Sequence, residues 1–157
     1  MEEYQKSLQR AIKHLQIADH MTYVTFPLIN ENRLLLKIFD EIYLTIIYCI
    51  NTILNYEILF KRIKIQNSNN EYLQIFEKIA KNYNISSEQI KIINNIISLN
   101  KKHKQSAMEF VKKEKIIILS DNLNTKIIDI TLVKHFLLIA KELLMKVSKK
   151  INPSLSS

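Results

Sequence analysis

The segment that decides the fold is residues 31–62, ENRLLLKIFDEIYLTIIYCINTILNYEILFKR. Its apolar residues recur at three- and four-residue spacing, which is the period of an α-helix. They form two adjacent rows, one from Leu35 to Ile53 and the other from Phe39 to Leu54. A helix with two apolar rows needs neighbours on most of its sides. We therefore predict that a long helix over about 31–62 is the centre of a helical bundle.

Shorter segments with a single apolar row lie on both sides of this helix. The same spacing predicts four more helices over about 3–22, 70–81, 87–103 and 131–151, and a further helical turn over 107–113. Pro27 and its neighbours are expected to end the first helix, because proline disrupts a helix interior. The expected helix caps are Asn30 or Asn32, Ser86 or Ser87, and Thr131.

The segment 115–130 differs from the rest of the chain. Two short β-branched runs, Ile116–Leu119 and Lys126–Ile130, flank the turn residues 120–124. This pattern predicts a small β-hairpin. The predicted fold class is therefore mainly all-α, a bundle of about five helices in a single domain over 1–152. A frayed tail is expected over 153–157.

The chain contains no glycine, although average usage of about 7% would supply roughly eleven in 157 residues. Glycine allows a positive φ and a close approach of the backbone to a ligand. Its absence excludes the usual glycine-rich phosphate loop, dinucleotide fingerprint and nucleophile elbow. Tight turns are expected to use Asn and Asp, which tolerate positive φ best among the other residues.

The single cysteine, Cys49, excludes an intramolecular disulfide framework, and its place in an apolar row predicts burial. The start of the chain lacks the pattern of a secretory signal. The longest uncharged stretch, 42–56, is shorter than the roughly twenty apolar residues of a membrane span. We therefore expect a cytoplasmic protein without a membrane span.

Charge is distributed unevenly, and this is the main functional signal. Residues 1–60 hold five Lys and Arg against seven Asp and Glu, whereas residues 61–157 hold eighteen against eight. The formal net charge is +8. The densest basic segment contributes the predicted nucleic-acid-binding residues, which are Lys101, Lys102, His103, Lys104, Lys112, Lys113 and Lys115.

A basic surface attracts polyanions through phosphate contacts that do not depend on sequence. The best functional hypothesis is therefore a non-catalytic protein that associates with RNA or another polyanion. Lysine dominates, and arginine occurs only at Arg10, Arg33 and Arg62. Because arginine is the residue suited to bidentate base and phosphate recognition, non-specific binding is expected. The alternative interpretations of the lysines are a solvated helix face and an anionic membrane surface.

Neither a metal site nor a catalytic site is predicted. The histidines, none of which has the spacing of a metal ligand set, are His14, His20, His103 and His135. His14 and His20 are expected to be exposed polar residues. His103 precedes Ser106 and Glu109, but no oxyanion-hole signature accompanies them. We therefore predict no cofactor and no catalytic residue.

The carboxylates of the long helix offer a further possibility. Asp40, Glu41 and Glu57 would suit acid–base chemistry if two of them were buried together. The simpler expectation is that they lie at the rim of the bundle and pair with Lys or Arg.

The pattern Ala11-x-x-His14-Leu15-x-x-Ala18, followed by the long Tyr- and Ile-rich helix, resembles the HEPN superfamily of helical bundles over about the first sixty residues. The resemblance implies a helical-bundle fold and a role as a ribonuclease or as an RNA-binding partner of a nucleotidyltransferase. The ribonuclease motif of that family separates Arg from His by four to six residues, whereas three residues separate Arg10 from His14.

A second segment, 102–113 (KHKQSAMEFVKK), is similar to a stretch in small archaeal proteins, and this similarity implies no activity. Two functional alternatives stay open beside RNA association. The first is a homodimeric interaction or assembly protein whose interface uses exposed parts of the first and last helices. The second is a HEPN-like toxin ribonuclease, with His103 as the residue to test.

Overall fold

A computed structural model describes residues 1–64, 71–105, 108–112, 115–119 and 125–152, and these form six α-helices and three β-strands. The helices are α1 (Glu3–His20), α2 (Phe26–Ile29), α3 (Leu34–Leu59), α4 (Glu71–Ile79), α5 (Ser87–Gln105) and α6 (Ile130–Ile151). The strands are β1 (Met108–Lys112), β2 (Lys115–Leu119) and β3 (Thr125–Asp129). The predicted class, a mainly all-α bundle, is confirmed. The expected frayed tail, 153–157, lies outside the described residues.

Helix α3 is the central element, as its two apolar rows predict. It packs against α1, α4, α5, α6 and the strands β2 and β3. The fully buried members of its first row are Leu35, Ile38, Ile42, Ile46, Cys49 and Ile53. Burying one such aliphatic side chain contributes about 1.5–3 kcal/mol, so this row determines where α3 sits. Burial also raises the pKa of the Cys49 thiol, which stays protonated.

The expectation that Pro27 ends the first helix is wrong. The chain continues from α1 through a π-helical turn, Met21–Thr25, into α2, and leaves the helical path only at Asn30. In the π turn the N–H of Phe26 donates to the oxygen of Met21, five residues earlier. This wider turn leaves room for the proline ring, which would otherwise collide with the carbonyl four residues before it.

Three helical segments end on a residue in the left-handed conformation. Asn30, Lys61 and Asn84 have φ of 54°, 58° and 59°. Two of the three are Asn, as predicted for a chain without glycine, and Lys61 is the exception. Neither Asn30 nor Asn32 caps α3, whose N-cap is Arg33 without a side-chain hydrogen bond.

The two strands of the predicted hairpin are confirmed as an antiparallel pair, and they form part of a larger sheet. The expected turn, 120–124, lies outside the described residues. Strands β2 and β3 are antiparallel, with Lys115 opposite Asp129 and Leu119 opposite Thr125. Strand β1 pairs with the other side of β2. The helical turn expected over 107–113 is therefore wrong, because 108–112 is extended. The pairing occupies the backbone N–H and C=O groups that β2 would otherwise present as an open edge.

Of the two caps predicted for α5 and α6, the one at α5 is confirmed and the one at α6 is wrong. Ser86 and Gln89 form a capping box at α5, where the N–H of Gln89 donates to Ser86 Oγ at 3.1 Å and the N–H of Ser86 donates to Gln89 Oε1 at 3.0 Å. Helix α6 is capped by Asp129, whose Oδ1 accepts from the N–H of Leu132 at 2.8 Å. Thr131 is not the cap, because α6 begins at Ile130 and Thr131 already lies inside its first turn.

Candidate nucleic-acid interface

The first part of the predicted basic surface lies at the end of α5, and residues 101–104 are called the α5 patch. Lys101 and Lys104 are exposed, and Lys102 and His103 are partly buried. Asp40 of α3 lies beside them, with Oδ1 3.6 Å from His103 Nε2 and Oδ2 3.9 Å from Lys104 Nζ. One carboxylate therefore offsets part of the charge of the α5 patch.

Two of the other predicted cations lie in the sheet. Lys112 and Lys115 are opposite each other in the backbone register of β1 and β2. Lys113 lies outside the described residues. The structure thus brings Lys101–Lys104 onto one turn of α5, and Lys112 next to Lys115 at one end of a strand pair.

A second group of cations, which the sequence analysis did not single out, lies at the other end of α3. Tyr56, Glu57, Arg62, Asn82 and Lys150 line a depression here, called the Arg62 pocket. Lys150 and Asn82 also line an adjoining depression together with Lys149. Asp40 and Glu57 are seventeen positions apart on α3, which is about 25 Å along the helix. The two basic surfaces are therefore at opposite ends of the bundle.

Arg62 is held in place by a buried carboxylate. Its Nη1 donates to both oxygens of Glu57 at 3.4 Å, and the hydroxyl of Tyr83 donates to Glu57 Oε1 at 2.8 Å. Glu57 is only 4% exposed, so it is buried rather than at the rim of the bundle. Burial, and then the hydrogen bond to Glu57, raise the pKa of the Tyr83 hydroxyl above its usual range. Tyr83 therefore keeps its proton as a donor.

The backbone turn at the end of α3 directs Arg62 back over the helix. Lys61 is left-handed, and the N–H of Arg62 donates to the carbonyl oxygen of Glu57 at 2.9 Å. This is the long-range hydrogen bond of a Schellman helix end, in which the left-handed position is usually glycine. A side chain at that position is unfavourable by about 1–2 kcal/mol.

Aromatic rings form a continuous row that ends at Arg62. The ring centroids of Tyr4 and Tyr56 are 5.1 Å apart, and those of Tyr56 and Phe60 are 4.8 Å apart. The Arg62 guanidinium carbon lies 5.2 Å from the centroid of Phe60 and 5.9 Å from that of Tyr56. Phe60 is 51% exposed, so part of its ring is accessible. These three rings are called the aromatic row.

A separate pair, His14 and Glu41, lies between α1 and α3. His14 Nδ1 is 2.6 Å from Glu41 Oε2, and the side chains are 20% and 7% exposed. The imidazole stacks on Tyr48 at 5.5 Å, and the Arg10 guanidinium lies 5.7 Å from the same ring. His14 is thus partly buried and paired, contrary to the expectation of an exposed polar residue. Nε2 is the ring nitrogen on the side away from this contact with Glu41.

Several apolar side chains are exposed near the end of the first helical segment and on α6. The most exposed of them are Tyr23, Leu28, Ile29, Leu138 and Met145. The Nζ atoms of Lys134 and Lys141 each lie 5.4 Å from the centroid of the Tyr23 ring. The homodimer alternative stays a prediction, for which these side chains are the candidate contacts.

Two further classes of site are absent from the residues that the structure describes. None of the described helices is both long and apolar enough to cross a bilayer. No group of three or more His, Cys, Asp or Glu side chains in the described ranges is arranged to hold a metal ion.

The lysines at the end of α6 form a pattern that is visible in the sequence. Lys146, Lys149 and Lys150 occupy one face of the last turns of α6 at three- and four-residue spacing. Such a cluster is also typical of a solvated helix C-terminus, so the sequence alone does not indicate a binding site there. Comparisons with protein-family models, with curated proteins and with solved structures found no match for this chain.

Proposed function

We propose that this protein associates with single-stranded RNA through the Arg62 pocket and the aromatic row. The observation that carries the proposal is that three contacting aromatic rings lead directly to a pocket that contains two cationic side chains. Proteins that bind single strands combine a positively charged groove with aromatic rings on which bases stack. Stacking of one base on an aromatic side chain contributes about 1–3 kcal/mol and is tolerant of sequence.

The charges around the pocket support this proposal. Arg62, Lys149 and Lys150 are exposed at the surface. Lys146 already has hydrogen-bond partners within the protein. Its Nζ donates to the carbonyl oxygen of Asn84 at 2.7 Å and to Gln89 Oε1 at 2.6 Å. Among the described residues that line the Arg62 pocket, the one acid is Glu57, which already accepts hydrogen bonds from Arg62 and Tyr83. Three cations therefore lie at this end of the bundle, and Glu57 offsets part of the charge of Arg62.

The α5 patch is the second contact surface in this proposal. Two exposed lysines, Lys101 and Lys104, face solvent there. Asp40 reduces their joint charge, whereas the aromatic row accompanies the Arg62 pocket. We therefore expect the α5 patch to contribute less to binding than the Arg62 pocket.

The test compares two matched double variants in binding to a fluorescent decauridylate at about 50 mM salt. Lys149→Glu with Lys150→Glu alters the surface at the Arg62 pocket, and Lys101→Glu with Lys104→Glu alters the α5 patch. Both pairs lie within the last five residues of a helix, so the change in net charge and the change near a helix C-terminus are matched. We expect the first double variant to weaken binding at least about tenfold, and more than the second.

Each other outcome of this experiment is informative. Equal losses in the two double variants would mean that only the net charge matters, and the proposed site would be wrong. A larger loss at the α5 patch would favour the site predicted from the sequence. Wild-type protein that fails to bind at micromolar concentration would exclude RNA association altogether.

A second candidate function, RNA cleavage, is favoured by the contact between His14 and Glu41. A histidine whose Nδ1 is held by a carboxylate is arranged for general acid–base chemistry at Nε2. In this candidate, Nε2 takes the proton of a ribose 2′-hydroxyl, and the 2′-oxygen attacks the adjacent phosphorus to form a 2′,3′-cyclic phosphate. The bond to the 5′-oxygen breaks, and this oxygen takes a proton from water. Arg10, one helical turn before His14, supplies positive charge for the phosphorus centre.

This candidate is tested by cleavage of a labelled RNA with wild type, His14→Gln and His103→Ala. We expect the His14 variant to lose cleavage by at least about a hundredfold, as is typical for removal of a general base. The His103 variant should cleave normally, since the contact between His103 and Asp40 is longer, at 3.6 Å. Loss in the His103 variant alone would restore the residue named from the sequence, and no cleavage by wild type would exclude the candidate.

A further inference from the structure

We infer that the interior of an RNA strand crosses the Arg62 pocket and the adjoining depression as one groove, and that one of its bases contacts Met145. This inference rests on the proposed association with single-stranded RNA. It adds the path of the strand and an uncharged contact residue. Three observations carry it: the lining residues that the two depressions share, the distribution of charge along them, and the exposed apolar side chains at their outer ends.

The two depressions are continuous. They share two lining residues, Asn82 of the 3-10 turn Ala80–Tyr83 and Lys150 of α6. From these residues the first depression extends to Arg62 and the second to Met145. Met145 and Lys150 are five positions apart on α6, which is about 7.5 Å along the helix. Since neither depression is an enclosed cavity, a strand can pass from one into the other. The combined surface is called the α6 groove.

Polar groups are distributed along the α6 groove rather than gathered at one end. The exposed cations among its described lining residues are Arg62 in the first depression, Lys150 at the junction and Lys149 in the second. Glu57 offsets part of the charge of Arg62. The exposed side chain of Asn82 adds an amide, which both donates and accepts hydrogen bonds, at the junction. The α6 groove can therefore contact the phosphates of successive nucleotides, which suits the interior of a strand.

Exposed apolar side chains lie at the two outer ends of the α6 groove. Met145 is 60% exposed and lines the second depression together with Lys149, which follows it by one helical turn. At the other end, the centroid of the half-exposed Phe60 ring lies 5.2 Å from the guanidinium carbon of Arg62. Each end therefore combines an apolar side chain with a cation. Methionine is flexible and polarizable, and its sulfur makes favourable contacts with aromatic rings, so it suits the face of a base.

The first test uses a neutral substitution, so that net charge does not change. Met145→Gln alters the outer end of the α6 groove. Leu138→Gln is the matched control, because Leu138 is 52% exposed on the same helix and lines neither depression. We expect Met145→Gln to weaken binding of a fluorescent decauridylate about threefold or more, and Leu138→Gln to weaken it less than about twofold.

The outcomes of this test separate the inference from the proposed function. A loss in Met145→Gln that is no greater than the loss in Leu138→Gln would overturn the inference and leave RNA association intact. Absence of binding by the wild type would overturn both. Both substitutions are at exposed positions, where changes in stability are usually within about 0.5 kcal/mol, so both variants are expected to fold.

The second test asks whether the strand needs an end. It compares a circular and a linear oligouridylate, each of about twenty nucleotides, in competition for the wild-type protein. Because a groove that a strand crosses needs no strand end, we expect the two dissociation constants to agree within about threefold. A circle that binds more weakly than this would show that an end is required, and it would overturn the inference.

Discussion

Glu57 is nearly removed from water, yet both of its oxygens have partners. An isolated buried carboxylate is unfavourable by several kcal/mol, and pairing and hydrogen bonds remove most of that cost. Arg62 supplies the opposite charge and Tyr83 a short hydrogen bond at 2.8 Å. These two contacts give the buried carboxylate of Glu57 its partners and keep Arg62 at the mouth of its pocket. One residue therefore links the core to the proposed binding surface.

At the residue scale, we predict that Tyr83→Phe lowers the free energy of unfolding by about 1–3 kcal/mol at neutral pH, because Glu57 loses a buried donor. The folded protein holds the Tyr83 proton more tightly than the unfolded chain, in which tyrosine titrates near pH 10. The contribution of Tyr83 is therefore complete below about pH 10 and is lost as the pH rises above it. The gap between wild type and variant should narrow at about pH 11 in urea titrations.

The matched control for this prediction is Tyr72→Phe, at a tyrosine that is 42% exposed. This variant should unfold like wild type at both pH values. A Tyr83→Phe variant as stable as wild type at neutral pH would show that Glu57 does not depend on the hydroxyl.

At the scale of elements, the start of α6 shows how one residue decides a boundary. The apolar row Val133, Phe136, Leu137, Ala140, Leu143, Leu144 and Val147 is buried as the spacing predicts. The helix nevertheless begins one residue earlier than expected, since β3 ends at Asp129 and this side chain caps the helix. Whether Asp129 or Thr131 caps α6 depends on where the sheet stops, and that is set by pairing with β2.

We predict that Asp129→Ala lowers the free energy of unfolding by about 1 kcal/mol, within the range of lost N-caps. Thr131→Ala is the control, and it should change stability by less than about 0.5 kcal/mol, as is usual at an exposed position. Chemical denaturation of the two variants checks this prediction. A larger loss in Thr131→Ala would mean that the cap expected from the sequence operates in solution.

At the scale of the whole molecule, charge is separated along the bundle. The basic surfaces at the ends of α5 and α6 lie about 25 Å apart along α3. If RNA contacts only the three cations at the Arg62 pocket and beside it, the logarithm of its binding constant should fall against the logarithm of salt concentration with a slope of about −2. Anisotropy titrations at several salt concentrations measure this slope. A steeper slope, near −4, would show that the α5 patch binds at the same time, and a slope near zero would contradict phosphate contacts.

The sequence by itself determined the helical class, the central position of α3 and the hairpin of β2 and β3. Burying one aliphatic side chain contributes about 1.5–3 kcal/mol, so burial dominates the choice of fold. The buried residues recur with the period of their helix or strand, and this period can be recognised within one segment of the sequence. Strand β1 was missed because its five residues become a strand by pairing with β2, which a local pattern does not show.

Only the tertiary structure decided which charged groups meet. Arg62 and Lys150 are 88 residues apart in the chain, and His14 and Glu41 are 27 residues apart. No periodicity of the sequence relates the members of either pair. Their approach depends on how α3 packs against α1 and α6, and each ionic contact contributes far less than the apolar rows that position these helices. The apolar pattern therefore predicted the bundle. Which residues come together in each surface site depended on how the helices pack.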